Sequence, residues 1–81
     1  MNLQNIIREG SNYLKKNNIK SAELDSELLL SEVLKVSRKN IILNQDQEVS
    51  NEIFSKFKNL VNLRASGKPI AYLIGTKAFW K

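Results

Sequence analysis

The chain has 81 residues, 42% hydrophobic and 26% charged, with no cysteine and no histidine, which excludes a disulfide framework, a thiolate or imidazole metal site and the commonest general base. The formal net charge of +5, from 13 basic and 8 acidic residues, favours approach to acidic partners, nucleic acid and ribosome-associated protein included. No apolar run nears the roughly 20 residues of a bilayer span, and the Arg8–Glu9 pair stands where a signal peptide needs an apolar core, so one soluble, cytoplasmic domain is expected.

Leu3, Ile6, Ile7, Gly10 and Leu14 fall at helical spacing and predict a first helix from about Leu3 to Lys16. Gly10, in the middle of that face, costs roughly 1 kcal/mol relative to Ala, and its bare backbone suits the close approach of another helix. Asn17 and Asn18 end the helix, since Asn tolerates the left-handed conformation that follows a helix. Ser21 is the candidate N-cap of a second helix from about Ala22 to Val36. Its Leu28, Leu29, Leu30, Val33, Leu34 and Val36 cover more than the stripe of a surface helix. That makes it the central helix, touched on several sides.

Ser37 can cap a short third helix carrying Ile41, Ile42 and Leu43, and Asn44 to Glu48 reads as a polar loop. Ser50 is the next cap, with Glu52 in the favourable first turn. The fourth helix runs to about Ser66, burying Ile53, Phe54, Phe57, Leu60 and Val61 and wetting Lys56, Lys58, Asn59 and Asn62. Gly67 stops it, Pro69 opens a short fifth helix through Ile74, and Gly75 stops that one. Thr76 to Lys81 turns extended, ending in Phe79, Trp80 and Lys81. The expectation is an all-α fold: an irregular bundle of four to five helices over residues 2–75, with residues 76–81 as an extended tail.

No phosphate loop, dinucleotide fingerprint, nucleophile elbow or zincin motif occurs. Glu23, Glu27 and Glu32 share the second helix, but nothing converges on them, and carboxylates on a helix surface are usually solvated. No catalytic, cofactor-binding or metal-ligating residue is therefore assigned. Only three of the 13 basic residues are Arg, and no helix carries a row of base-reading side chains. A dispersed, solubilising lysine surface is the plainer reading, and a nucleic-acid- or ribosome-binding module is the alternative.

Two charges stand out. Asp25 lies beside Leu28 and Leu29, and Arg64 lies at the angle of Phe57 and Leu60. A charge on a buried face is normally paired, so the two could meet across the helix interface. Alternatively, each reaches water at a helix end. Phe79 and Trp80 either fold back on the domain or begin a connection to a second one. Arg64, Lys68 and Tyr72 are the candidate partner contacts, Tyr72 because an aromatic body with a polar tip suits an interface.

Arg64-Ala-Ser-Gly-Lys-Pro-Ile-Ala-Tyr-Leu-Ile-Gly-Thr-Lys-Ala-Phe-Trp80 resembles the R-x-x-G-x-P-[IL]-x-[YH]-[IL]-x-G-x-x-x-F-[WM] segment of the release-factor glutamine methyltransferases of the HemK/PrmC type. Asp25-Ser-Glu-Leu-Leu-Leu-Ser-Glu-Val-Leu34 is similar to that family's D-A-E-x-L-L-x-x-V-L helix, and Arg38 before a short apolar helix is similar to its next step. Lys68 stands where the family commonly has Glu, and Ala78 where Glu often precedes the Phe. The resemblance implies the N-terminal helical domain of a two-domain enzyme, joined by a β-hairpin beginning at residues 76–81 to an S-adenosylmethionine-dependent catalytic domain. That enzyme methylates the Gln of the Gly-Gly-Gln motif in peptide chain release factors. The family's Asn-Pro-Pro-Tyr motif and Gly-rich cofactor loop are absent from these residues, so this stretch is expected to bind no cofactor and to be inactive alone. The implied partners are the release factor and the protein's own catalytic domain, with a monomer expected and neither membrane nor nucleic acid as partner. A protein–protein adaptor with no enzyme attached is the third reading.

Overall fold

The computed structural model describes residues 1–74. Five helices follow one another: α1 (Leu3–Lys16), α2 (Ala22–Leu34), α3 (Arg38–Leu43), α4 (Asn51–Ala65) and α5 (Ile70–Ile74). The expected stop at Gly75 and the tail with Phe79 and Trp80 lie outside the described residues. Helix α2 is central. It packs against α1, α3, α4 and α5, while α1 and α4 also pack on each other and α5 rests on α4.

The core draws on every helix: Leu3, Ile6 and Leu14 from α1, Ala22, Leu29 and Leu30 from α2, Ile41 from α3, Phe57 and Val61 from α4, and Ile74 from α5. Gly10 is buried where α1 crosses the others. A Cβ built there would lie 2.5 Å from Phe57 Cζ and 2.7 Å from Ser26 Oγ, so the glycine is what lets these helices close. Ser26 fits the same contact by donating its hydroxyl to the Ile7 carbonyl at 2.8 Å.

Most helix starts follow the sequence. Ser37 and Ser50 are extended, and their hydroxyls accept from the Asn40 and Ile53 N–H groups. Asn2, not foreseen as a cap, accepts from Asn5 N–H at 2.9 Å. Ser21 stands at the start of α2 but does not cap it through its side chain. Its ψ of 34° departs from the extended value of the other two serines, and its hydroxyl donates to Asp25 instead. Helix α2 also ends two residues earlier than expected. Lys35 turns left-handed and Val36 leaves the helix, about one-third exposed. The reason is geometric: Ser37 must already be extended to start α3, leaving no room for α2 to run on.

The helix ends share one solution. Behind α1, α2 and α4 the left-handed residues are Asn18, Lys35 and Gly67. In each case the next residue donates its N–H back into the helix: Ile19 to Leu14, Val36 to Ser31 and Lys68 to Leu63. This is the Schellman arrangement, which satisfies carbonyls that a helix end would otherwise orphan. Pro69 directly precedes α5 rather than sitting within it, and its carbonyl accepts from Tyr72 N–H. The polar loop after α3 pairs with the chain start. Leu3 N–H donates to Gln47, Gln4 N–H to Gln45 and Val49 N–H to the Met1 carbonyl, around an isolated antiparallel bridge between Asn2 and Glu48.

Candidate functional site

The α4–α5 corner gathers the singled-out side chains. Asp25 lies in the first turn of α2 and is 2% exposed. Its Oδ2 accepts from Arg64 Nε at 2.8 Å and from the Ser21 hydroxyl at 2.9 Å. Arg64, in the last turn of α4, also donates from one Nη to the Lys68 carbonyl at 3.1 Å. One guanidinium thus ties α2, α4 and the turn into α5. The planar fork of Arg suits this bridging, as the point charge of Lys does not. Arg64 is mostly covered, and the two donors that it engages, on Nε and one Nη, serve the fold.

Lys68 and Tyr72 face outward beside this link. Tyr72 is 73% exposed, and Lys68 Nζ stands 5.7 Å from the centre of its ring. Leu63, one residue before Arg64, is also exposed. The corner therefore offers an aromatic ring, an ammonium and an aliphatic side chain. Of these, the aromatic ring is the type enriched at protein interfaces.

Other features carry less chemistry. A groove of about 140 Å³ between α1 and α4 has Tyr13, Phe54, Phe57 and Val61 among its walls, with Glu9 and Lys58 at its edge. It falls below the roughly 300–1,000 Å³ of sites that enclose a drug-sized ligand, so its residues do not fit a nucleoside cofactor such as S-adenosylmethionine. A shallower depression lies against Lys15, Asn18, Ile19 and Lys20. The carboxylates of α2 are each engaged elsewhere: Glu23 with Lys15 at 3.6 Å, Glu27 with Arg38 at 2.6 Å and Glu32 with Lys35 at 2.7 Å. Among the described residues no group of three or more carboxylates converges as a metal site would require.

Sequence reasoning missed the Lys68 carbonyl as a partner of Arg64, because a backbone acceptor has no signature in residue type. It also missed Ser21 as a ligand of Asp25, although the four-residue spacing on one helix start brings the two side chains together. Phe79 and Trp80 lie outside the described residues.

The family model described as the PrmC N-terminal domain matches residues 5–75. Among curated proteins, the release factor glutamine methyltransferase of Clostridium botulinum is 39% identical over 98% of this chain and 28% of its own length. The protein of the same name from Buchnera aphidicola subsp. Schizaphis graminum is 48% identical over 69% of this chain and 20% of its own length. A bifunctional methyltransferase of Rickettsia felis is 28% identical over 96% of this chain and 15% of its own length. The chain thus spans 28% or less of these three relatives. No solved structure gives a significant match.

Proposed function

The chain belongs to the PrmC N-terminal domain family, and from that premise we propose that it is the release-factor-recognition domain of an S-adenosylmethionine-dependent protein-glutamine methyltransferase. The parent enzyme modifies the Gln of the Gly-Gly-Gln motif in peptide chain release factors. The observation that carries this reading is the alignment of 98% of the chain with 28% of a relative named release factor glutamine methyltransferase. The cofactor would supply the methyl group in the parent. The task of the residues described here is to bind and orient.

Recognition rests on the α4–α5 corner. A docking surface needs rigid aromatic anchors and few ordering costs. Tyr72, on α5, supplies the ring, and Lys68 supplies the charge from the preceding turn, whose backbone is held to α4. Arg64 contributes through that turn. No helix among the described residues is long and apolar enough to cross a membrane; the proposed setting is the cytoplasm, where the protein meets its partner as a monomer.

Calorimetric titration of the 81-residue chain with a purified peptide chain release factor tests this. Saturable binding is expected, weakened about tenfold or more by Tyr72→Ala, as for an interface anchor worth over 1 kcal/mol. Absence of saturable binding at millimolar concentration would sink the reading.

A further inference from the structure

We propose that the polar chain from Ser21 through Asp25 and Arg64 to the Lys68 carbonyl is a positioning device, which sets the direction in which Lys68 and Tyr72 meet a protein partner. The proposal rests on the reading that this corner docks a release factor. Its structural half can be tested without any ligand.

The argument starts from the weakness of α5. The helix has five residues, Ile70–Ile74, far fewer than the 12–15 that an isolated helix needs to be even marginal in water. Its direction must therefore come from its attachments. Ile74 anchors its far end in the core, with Ile70 and Leu73 packed beside it. At the near end, Pro69 has no N–H and a fixed φ, so the path into α5 is inherited from Lys68.

Lys68 is held at both of its backbone polar groups. Its N–H donates to the Leu63 carbonyl at 3.2 Å, and its carbonyl accepts from Arg64 at 3.1 Å. Gly67, at φ +111°, donates its own N–H to the Arg64 carbonyl at 3.1 Å. These two N–H bonds fix the chain as far as Lys68 but leave the Lys68 ψ, which aims Pro69 and α5, without a hydrogen bond to hold it. The bond from the Arg64 side chain closes that freedom. Arg64 in turn is aimed by Asp25, a buried carboxylate on a different helix that Ser21 holds from a second side. The orientation of the corner is thus referred to α2, at the centre of the bundle.

A purely stabilising ion pair would explain the Asp25–Arg64 contact but not its third partner. Buried pairs often add little net stability over apolar packing, and their best-attested use is to fix one arrangement among several. The Lys68 carbonyl is what that arrangement fixes here.

The test uses Arg64→Lys in the 81-residue chain. A lysine keeps a positive charge for Asp25, but its single ammonium cannot reproduce the planar fork that bridges to Lys68. Amide hydrogen exchange should quicken about tenfold or more at Lys68 and Tyr72 while the α1 core amides keep their rates, as for local opening of one segment. Ser21→Ala, which removes a donor but no charge, should move the same two amides by a smaller factor and serves if Arg64→Lys fails to fold. Calorimetry with a peptide chain release factor should show Kd raised about tenfold by Arg64→Lys. In the Tyr72→Ala background that change should shrink to about twofold or less, because both act on one contact. Equal acceleration across α1 and α5, or full independence of the two substitutions, would overturn the device. If Tyr72→Ala leaves Kd unchanged, the docking reading fails at this corner, and the exchange rates alone then decide whether the link positions α5.

Discussion

Gly10 is where a single atom decides how the helices meet. An alanine there would gain roughly 1 kcal/mol of helix propensity. Its methyl, however, would meet the Phe57 ring at 2.5 Å and the Ser26 hydroxyl at 2.7 Å. Neither neighbour can step aside cheaply. Phe57 is 1% exposed, and Ser26 is tied to the Ile7 carbonyl. Overpacking of a tight core costs about 1–3 kcal/mol, and a clash on two sides belongs at the upper end. Gly10→Ala is therefore expected to lower stability by about 2 kcal/mol in urea denaturation, with the slope unchanged. Phe57→Leu in the same chain should recover part of the loss, because the two substitutions share one contact. An unchanged or higher midpoint for Gly10→Ala would show that α1 can move away from α4.

The three long helices end alike, but they do so with residues of unequal aptitude. Gly67 takes φ +111° freely, Asn18 takes φ 65° at small cost, and Lys35 takes φ 59° against the usual preference of a side chain with a full Cβ. The strain at Lys35, about 1–2 kcal/mol, is offset by the backbone bonds of the helix end and, at the side chain, by an exposed pair with Glu32, of a kind worth about 0–1 kcal/mol. A glycine there would relieve the strain and add freedom to the unfolded chain, two effects of opposite sign. The net expectation for Lys35→Gly is a gain of about 0.5 kcal/mol, or about 2–4 °C in Tm by calorimetry. Asn18→Gly should gain less, and a reversed order would refute the assignment of strain to Lys35. The elements themselves were legible where side chains carry the signal: the apolar spacing of α1, the serines before α3 and α4, and the glycine after α4. The clasp between the chain start and residues 45–49 was not, because it is made of backbone groups and any polar loop can supply them. For the same reason Asp25 and Arg64 drew notice as charges on apolar arcs, while the Lys68 carbonyl that accepts from Arg64 did not. The exposure of Ile42 and Leu43 was also hidden, since α3 has only six residues and one buried position, Ile41, is enough to seat it.

At the scale of the molecule, the question is whether a charge of +5 amounts to a nucleic-acid surface. Affinity for a single strand falls with salt by about 0.7 log units per log unit for each phosphate neutralised. What counts is therefore how many basic groups one strand can meet together. Lys15, Lys35, Lys56, Arg38 and Arg64 each lie within salt-bridge range of a carboxylate. These residues are divided among α1, the α2 end, α3 and α4 rather than aligned along one helix. Lys15 and Lys20 do gather at the α1–α2 turn, with Lys16 adjacent in sequence and Glu23 beside Lys15. A strand lying there would meet about three cations, which predicts a slope near −2 for single-stranded RNA. Binding that weak should be lost in fluorescence anisotropy by physiological salt. Docking through Tyr72 and Lys68 involves one ammonium and an aromatic contact that salt does not screen. Release-factor affinity should accordingly change by less than about threefold between 50 and 200 mM salt. A slope for RNA steeper than about −4 would require a continuous phosphate-binding surface, which would favour a nucleic-acid-binding module over a protein-docking domain.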